Sequence, residues 1–168
     1  MPQYEDYVNW RRTLHQYPEL SDAEYETTKR LKRILEAYDI KIIDLPLETG
    51  LVAEVGQGET FVAVRTDIDA LPIHEQVVHE FTSTNKGVMH ACGHDIHMAS
   101  ILAVATRLKD IESQLKGRVR IIFQPAEELG YGALHITESG AIDGAKAVLG
   151  YHNYPSLDVG EFAVKPGV

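Results

Sequence analysis

Hydrophobic and polar positions along the chain switch between two periods, and that switching predicts helices separated by short strands. The first amphipathic stretch, Glu5 to His15, reads as a helix, and Pro18 breaks it. Ser21-Asp22-Ala23-Glu24 has capping-box spacing, Ser followed three residues later by Glu, and predicts a helix from there to about Tyr38. Within it Thr28, Leu31, Leu35 and Tyr38 share one face. Ile40–Ile43 and Leu51–Val55 read as short strands, and after the turn Gly56-Gln57-Gly58 the run Phe61–Arg65 is a strong strand. Residues 67–93 hold no sustained period and read mostly as loop. Ile96–Leu108 is apolar on nearly every face through Ala105, which predicts a buried central helix. Val119–Phe123 is a strand stopped by Pro125, Ala133–Glu138 a short helix, and Ala147–Leu149 and Val159–Val164 the last strands. Helices lying between strands predict an α/β fold, a three-layer α/β/α sandwich around a mixed, largely parallel sheet.

This arrangement directs attention to the strand ends, because open α/β sheets build their sites at the carboxyl ends of strands. Strand 61–65 runs into Arg65-Thr66-Asp67-Ile68-Asp69, strand 119–123 into Gln124-Pro125-Ala126-Glu127-Glu128, and strand 147–149 into Tyr151-His152-Asn153. A fourth polar cluster, Cys92-Gly93-His94, precedes the central helix. If the strands are parallel neighbours, all four clusters face one cleft.

Composition adds exclusions. A chain of 168 residues with 44% hydrophobic content reads as one globular domain. A net charge of −9 argues against nucleic acid as a partner. No apolar run reaches the length of a membrane span, and the N-terminus shows no signal-peptide pattern. A lone cysteine forms no internal disulfide, so a reducing compartment, the cytoplasm, is the simpler expectation.

The lone cysteine matters more for where it stands. Met89-His90-Ala91-Cys92-Gly93-His94-Asp95-Ile96-His97 holds the only Cys and three of the eight His residues. Imidazole and thiolate are strong ligands for zinc-like metals, and Cys92 and His94 are spaced to reach one ion or ion pair. Glu127 and Glu128 are adjacent; in an extended segment they face opposite ways, one towards metal and one towards substrate. A carboxylate beside a metal site is the usual general base of metal-assisted hydrolysis. His152 adds another imidazole, and Asp67, Asp69 and Asp95 are expected to orient ligand imidazoles. His15, His74, His79 and His135 read as ordinary histidines. For His90 and His97 a structural role is at least as good a reading as a functional one.

These residues carry a resemblance. Met89–His97, Arg65-Thr-Asp-Ile-Asp-Ala-Leu-Pro72 and Gln124–Glu128 closely resemble three motifs of the M20 metallopeptidase family, most of all its amidohydrolase branch of hippurate hydrolases, N-acetyl-diaminopimelate deacetylases and auxin-conjugate hydrolases. Leu14–Leu20 and Tyr151–Pro155 resemble two further signatures, in the same order along the chain. The resemblance implies that Cys92, His94, Glu128 and His152 bind a two-metal centre, that Glu127 is the general base and that Asp67 orients the site. Arg65 stands where other branches carry a histidine ligand. The implied cofactors are two divalent metal ions (zinc, manganese, cobalt or nickel). The implied substrate is a small N-acyl amino acid. Family members are longer: after a segment resembling Gly160–Gly167 they enter a lid or dimerisation domain, then return with a final ligand histidine. The resemblance therefore implies that residues 1–168 form the N-terminal portion of a catalytic domain, with little activity alone and with homo-oligomerisation left open.

Two other readings stand beside this one. Cys92 as a nucleophile with His94 or His152 as base would make a metal-independent amidase, though it leaves Glu127 and Glu128 without a role. A non-catalytic module that binds metal or a partner is the third.

Overall fold

The computed structural model describes residues 1–164. Helices α1 (Tyr4–Gln16) and α2 (Tyr25–Ala37) precede strands β1 (Lys41–Ile43), β2 (Leu51–Val55) and β3 (Phe61–Asp67). Helix α3 (His94–Asp110), strand β4 (Arg118–Gln124), helix α4 (Gly132–Glu138) and strand β5 (Val148–Gly150) follow. One five-stranded sheet has the order β1-β2-β4-β3-β5. β3 is parallel to both β4 and β5, whereas β2 is antiparallel to β1 and β4. Only β2 therefore runs against the other strands, and the sheet is mixed and largely parallel as expected.

Side-chain alternation along the strands separates the layers. Leu51, Ala53 and Val55 of β2 and Ile121 and Phe123 of β4 face Leu14, Leu31, Leu35, Met98 and Leu102 of the first three helices. Val52, Ala63 and Ile122 project the other way, onto Ile136 of α4 and Ala141. Helices on both faces complete the three-layer sandwich. The charges on β2 and β4 are paired: Glu54 accepts from Arg118 and Arg120 at 3.0 and 3.2 Å.

Three expectations change. Helix α2 begins at Tyr25, not at a Ser21 cap. Glu19 caps it instead, its carboxylate accepting the Glu26 and Thr27 N–H groups at 3.1 and 2.6 Å, because Ser21 and Glu24 are drawn to partners far along the chain. Val159–Val164 is not a strand. Its apolar side chains are exposed, and alternation without a neighbouring strand supplies no hydrogen bonds to hold an extended chain. The central helix is buried on one side only, with Ile96 and Val104 about two-fifths exposed, at 41% and 39%. Residues 67–93 form a long loop pinned by isolated bridges, Leu20 to Ala70 and Leu71 to Met89.

Candidate metal centre

The parallel strands β3, β4 and β5 end side by side, and helix α3 starts against them. His94 is the hub. It is fully buried, and its Nδ1 bonds the Asp69 carbonyl at 2.8 Å with the Asp69 carboxylate at 3.4 Å. That bond fixes the proton on Nδ1 and turns the Nε2 lone pair inward. Nε2 has no hydrogen-bond partner among the described residues, yet Asp67 Oδ1, Glu127 Oε2 and Glu128 Oε1 each lie 3.7 Å from it. This is too long for a hydrogen bond and suits ligands arranged around a common ion. Glu128 Oε1 is likewise buried without a partner.

Donor atoms of Cys92, His94 and His152 lie within 4.8 Å of one another, as do those of His94, Glu127 and Glu128, and those of Asp67, His94 and His97. The three sets share His94, so sulfur, nitrogen and oxygen donors converge on one small volume. His152 Nδ1 donates to the Asn153 carbonyl at 2.7 Å, leaving Nε2 free, 3.3 Å from Cys92 Sγ. This donor set, with orphaned buried lone pairs on a histidine and a carboxylate, fits divalent metal ions. The expected members Cys92, His94, Glu127, Glu128, His152 and Asp67 are all brought together.

The local electrostatics agree with the geometry. Burial alone would raise the Asp67 carboxyl, but the His97 hydrogen bond and the charges of His94, His97 and Arg65 outweigh it and hold its pKa at about 2. Burial opposes protonation of His94, yet Asp69, Asp67 and Glu128 raise its pKa; a dication would take the place of that proton. Burial, then Glu128, Glu127 and Asp67, push the Cys92 thiol up to about 11. Although Cys92 touches His152, the surrounding carboxylates suppress a free thiolate, as a cysteine nucleophile would not want. The same carboxylates favour a cation, which would in turn stabilise the thiolate.

Two placements depart from expectation. Glu127 and Glu128 do not face opposite ways: both carboxylates approach His94 Nε2. The segment is a turn, not an extended strand, because Ala126 has a left-handed φ of +48° and Gly130 N–H bonds the Glu127 carbonyl at 2.8 Å. Asp95 orients no ligand imidazole. It points away from the centre to His15 Nδ1 at 2.9 Å and Arg11 Nε at 2.7 Å.

His97 and Asn153 have clearer parts than the sequence allowed. His97 Nδ1 bonds Asp67 Oδ1 at 2.7 Å, and its Nε2 accepts the Asn153 N–H at 3.0 Å. His97 thus ties the end of β3 to the segment carrying His152. Its position one turn after His94 was the available signal; Asn153 lay in the strand-end cluster Tyr151-His152-Asn153, with no role of its own assigned. Gly93, at the start of α3, has φ +91°, and a Cβ there would lie 2.4 Å from the Asn153 side-chain oxygen. Only glycine suits both the backbone and the space. Arg65 does not reach into the ligand cluster; it braces it, bonding Gln124 at 2.8 Å and Asp67 at 2.9 Å. His90 is buried with neither ring nitrogen partnered among the described residues, and burial pushes its pKa down to about 4.

An α/β sandwich with this donor set at its strand ends is the architecture of a metallopeptidase-type catalytic domain, and the chain belongs to peptidase family M20/M25/M40, whose model matches residues 63–167. It is 50% identical over 163 residues to the N-acetylcysteine deacetylase of Bacillus subtilis, covering 95% of this chain and 43% of that protein. It is 40% identical over 169 residues to the IAA-amino acid hydrolase ILR1-like 5 of Arabidopsis thaliana, covering 98% of this chain and 39% of that protein. The crystal structure of the Bacillus subtilis YXEP protein, described as a dinuclear metal binding peptidase of the M20 family, superposes with a TM-score of 0.94 at 49% identity. That match covers 97% of this chain and 47% of YXEP. The chain thus spans less than half the length of these relatives. Among its described residues no helix is long and apolar enough to cross a membrane.

Proposed function

We propose that this chain carries the metal-binding half of the active site of a metal-dependent amidohydrolase acting on small N-acyl amino acids. The observation that carries the proposal is the His94 hub, a buried imidazole whose inward nitrogen is unpaired and ringed by three carboxylate oxygens at 3.7 Å, with Cys92 and His152 alongside. Cys92, His94, Glu128 and His152 would hold two divalent cations, with Asp67 between the imidazoles of His94 and His97. Bound there, the cations would supply Lewis acidity and make water acidic enough to react near neutral pH. Glu127 is the more exposed of the paired acids, its side chain 37% accessible against 19% for Glu128, and is placed to exchange protons with a substrate in the cleft. It takes a proton from the attacking water and returns it to the leaving nitrogen, so that water adds across the amide C–N bond and releases a carboxylate and an amino acid.

Relatives named as an N-acetylcysteine deacetylase and an IAA-amino acid hydrolase support this reaction class. The 168 residues span less than half the length of these relatives, and we expect them to turn over little on their own. The test is hydrolysis of a panel of N-acyl amino acids by a polypeptide extended to the length of the relatives. Glu127→Gln should lower kcat by about 10²–10⁴-fold while metal content is kept. Full activity in that variant, or equal activity after exhaustive chelation, would overturn the proposal. Activity that survives chelation but is lost in Cys92→Ala would move the assignment to a cysteine nucleophile.

A further inference from the structure

The residue whose placement most needs an explanation is Glu24. It is fully buried, and its Oε1 accepts the Ala126 N–H at 2.9 Å from 102 positions away. Burial raises its pKa, partly offset by that same N–H, by its own N–H and by Thr49. A buried carboxylate is costly to keep where packing alone is at stake, and an apolar side chain would fill the space better. What it holds is unusual. Ala126 is one of three non-glycine residues with positive φ among the described residues, a conformation disfavoured for L-residues, and it immediately precedes Glu127. The same N-terminal segment makes a second hold: Ser21 Oγ donates to Asp69 Oδ2 at 2.7 Å, and that oxygen accepts the Glu128 N–H at 2.9 Å. The Ala70 N–H also donates to the Glu19 carbonyl at 2.8 Å. Residues 19–24 therefore hold the turn that carries both acids directly at Ala126 and, through Asp69, at Glu128.

We infer that Glu24, assisted by Ser21, is a positioning residue for the paired carboxylates: it holds Ala126 in the left-handed conformation, and that turn makes Glu127 and Glu128 converge on His94 instead of facing opposite ways. The significance of the convergence rests on the proposed metal centre; the grip on the loop does not.

The experiment compares Glu24→Leu, Glu24→Gln and Glu24→Leu/Ala126→Gly in the 168-residue chain. Amide hydrogen exchange is followed without added metal, and cobalt affinity by competition with a chromophoric chelator. Glu24→Leu should speed exchange in residues 126–132 by at least about tenfold, with β2 to β4 unchanged, and weaken cobalt binding by about 10–100-fold. Glu24→Gln keeps an acceptor oxygen and should stay near the parent in both. Glycine at 126 adopts positive φ without penalty, so the double variant should recover part of the cobalt affinity. Exchange that rises equally across the chain, a Gln variant as damaged as Leu, or no rescue by glycine would overturn the inference. If Glu24→Leu does not fold, restored folding in the Ala126→Gly background supports it and failure there overturns it. Absence of cobalt binding by the parent would count against the metal centre, and the exchange result would still decide the role of Glu24.

Discussion

Replacing Gly93 by Ala tests the link between backbone geometry and the candidate metal centre. Two costs are separable. The left-handed φ of +91° is disfavoured for alanine by about 1–2 kcal/mol. The new Cβ would also lie 2.4 Å from Asn153 Oδ1 and 3.0 Å from its Cγ and Nδ2, an overlap that forces movement and costs about 1–3 kcal/mol more. Asn153 is held at both levels: its side-chain Oδ1 touches His97 Nε2, its N–H donates to His97 and its carbonyl accepts from His152. Its displacement should pull the His152 ring from Cys92. Gly87→Ala is the matched control: its φ is +79°, and an added Cβ meets nothing within 4 Å, so it pays only the backbone cost. Urea unfolding should place Gly93→Ala below Gly87→Ala by about 1–3 kcal/mol, or about 2–4 °C in Tm for each kcal/mol in a domain of this size. Metal affinity should fall about 10–100-fold in Gly93→Ala and stay unchanged in Gly87→Ala. Removing the obstructing side chain, in Gly93→Ala/Asn153→Ala, should return part of the stability. Equal destabilisation by the two alanines with metal affinity intact would refute the reasoning.

Other outcomes follow from the same structure. His15 is buried, and its pKa is raised by the Asp95 hydrogen bond, against burial and with help from Glu75. Its stabilisation is therefore complete below the unfolded value of about 6.5 and is lost as pH rises through the raised folded value. The stability gap between the parent and His15→Gln in urea titrations should be widest below the unfolded value of about 6.5 and narrow as pH rises above it; a gap that widens with pH would contradict the assignment. Leu102 is fully buried between helices and sheet, and Leu102→Ala should cost about 2–5 kcal/mol by the same assay. Val104, two residues on and 39% exposed, should lose no more than about 0.5 kcal/mol on truncation to alanine.

The elements were readable where one period ran long enough. Leu51–Val55 matches its strand at both ends, and the apolar run after Cys92 lies wholly within α3. The candidate site was legible because its potential donor residues lie at strand ends and one helix start, where residue type and position point the same way. Where the sequence misled, a distant partner decided. Ser21 and Glu24 match a capping box locally, but Asp69 and Ala126 claim their side chains. Glu127 and Glu128 diverge in an extended chain, and one left-handed residue brings them together. Asp95, beside His94, serves His15 and Arg11 instead. Val159–Val164 alternates as a strand does, yet pairing, not pattern, makes a strand, and no neighbour is at hand among the described residues.

The most direct measurement is elemental analysis of the purified chain, after incubation with zinc or manganese and removal of excess, beside Cys92→Ala and Glu128→Ala. The account predicts near-stoichiometric metal in the parent and a clear loss in both variants, because sulfur and carboxylate donors converge on the unpaired nitrogen of His94. Metal retained equally in all three would place the ion elsewhere, and no metal in any would contradict a centre built by these residues.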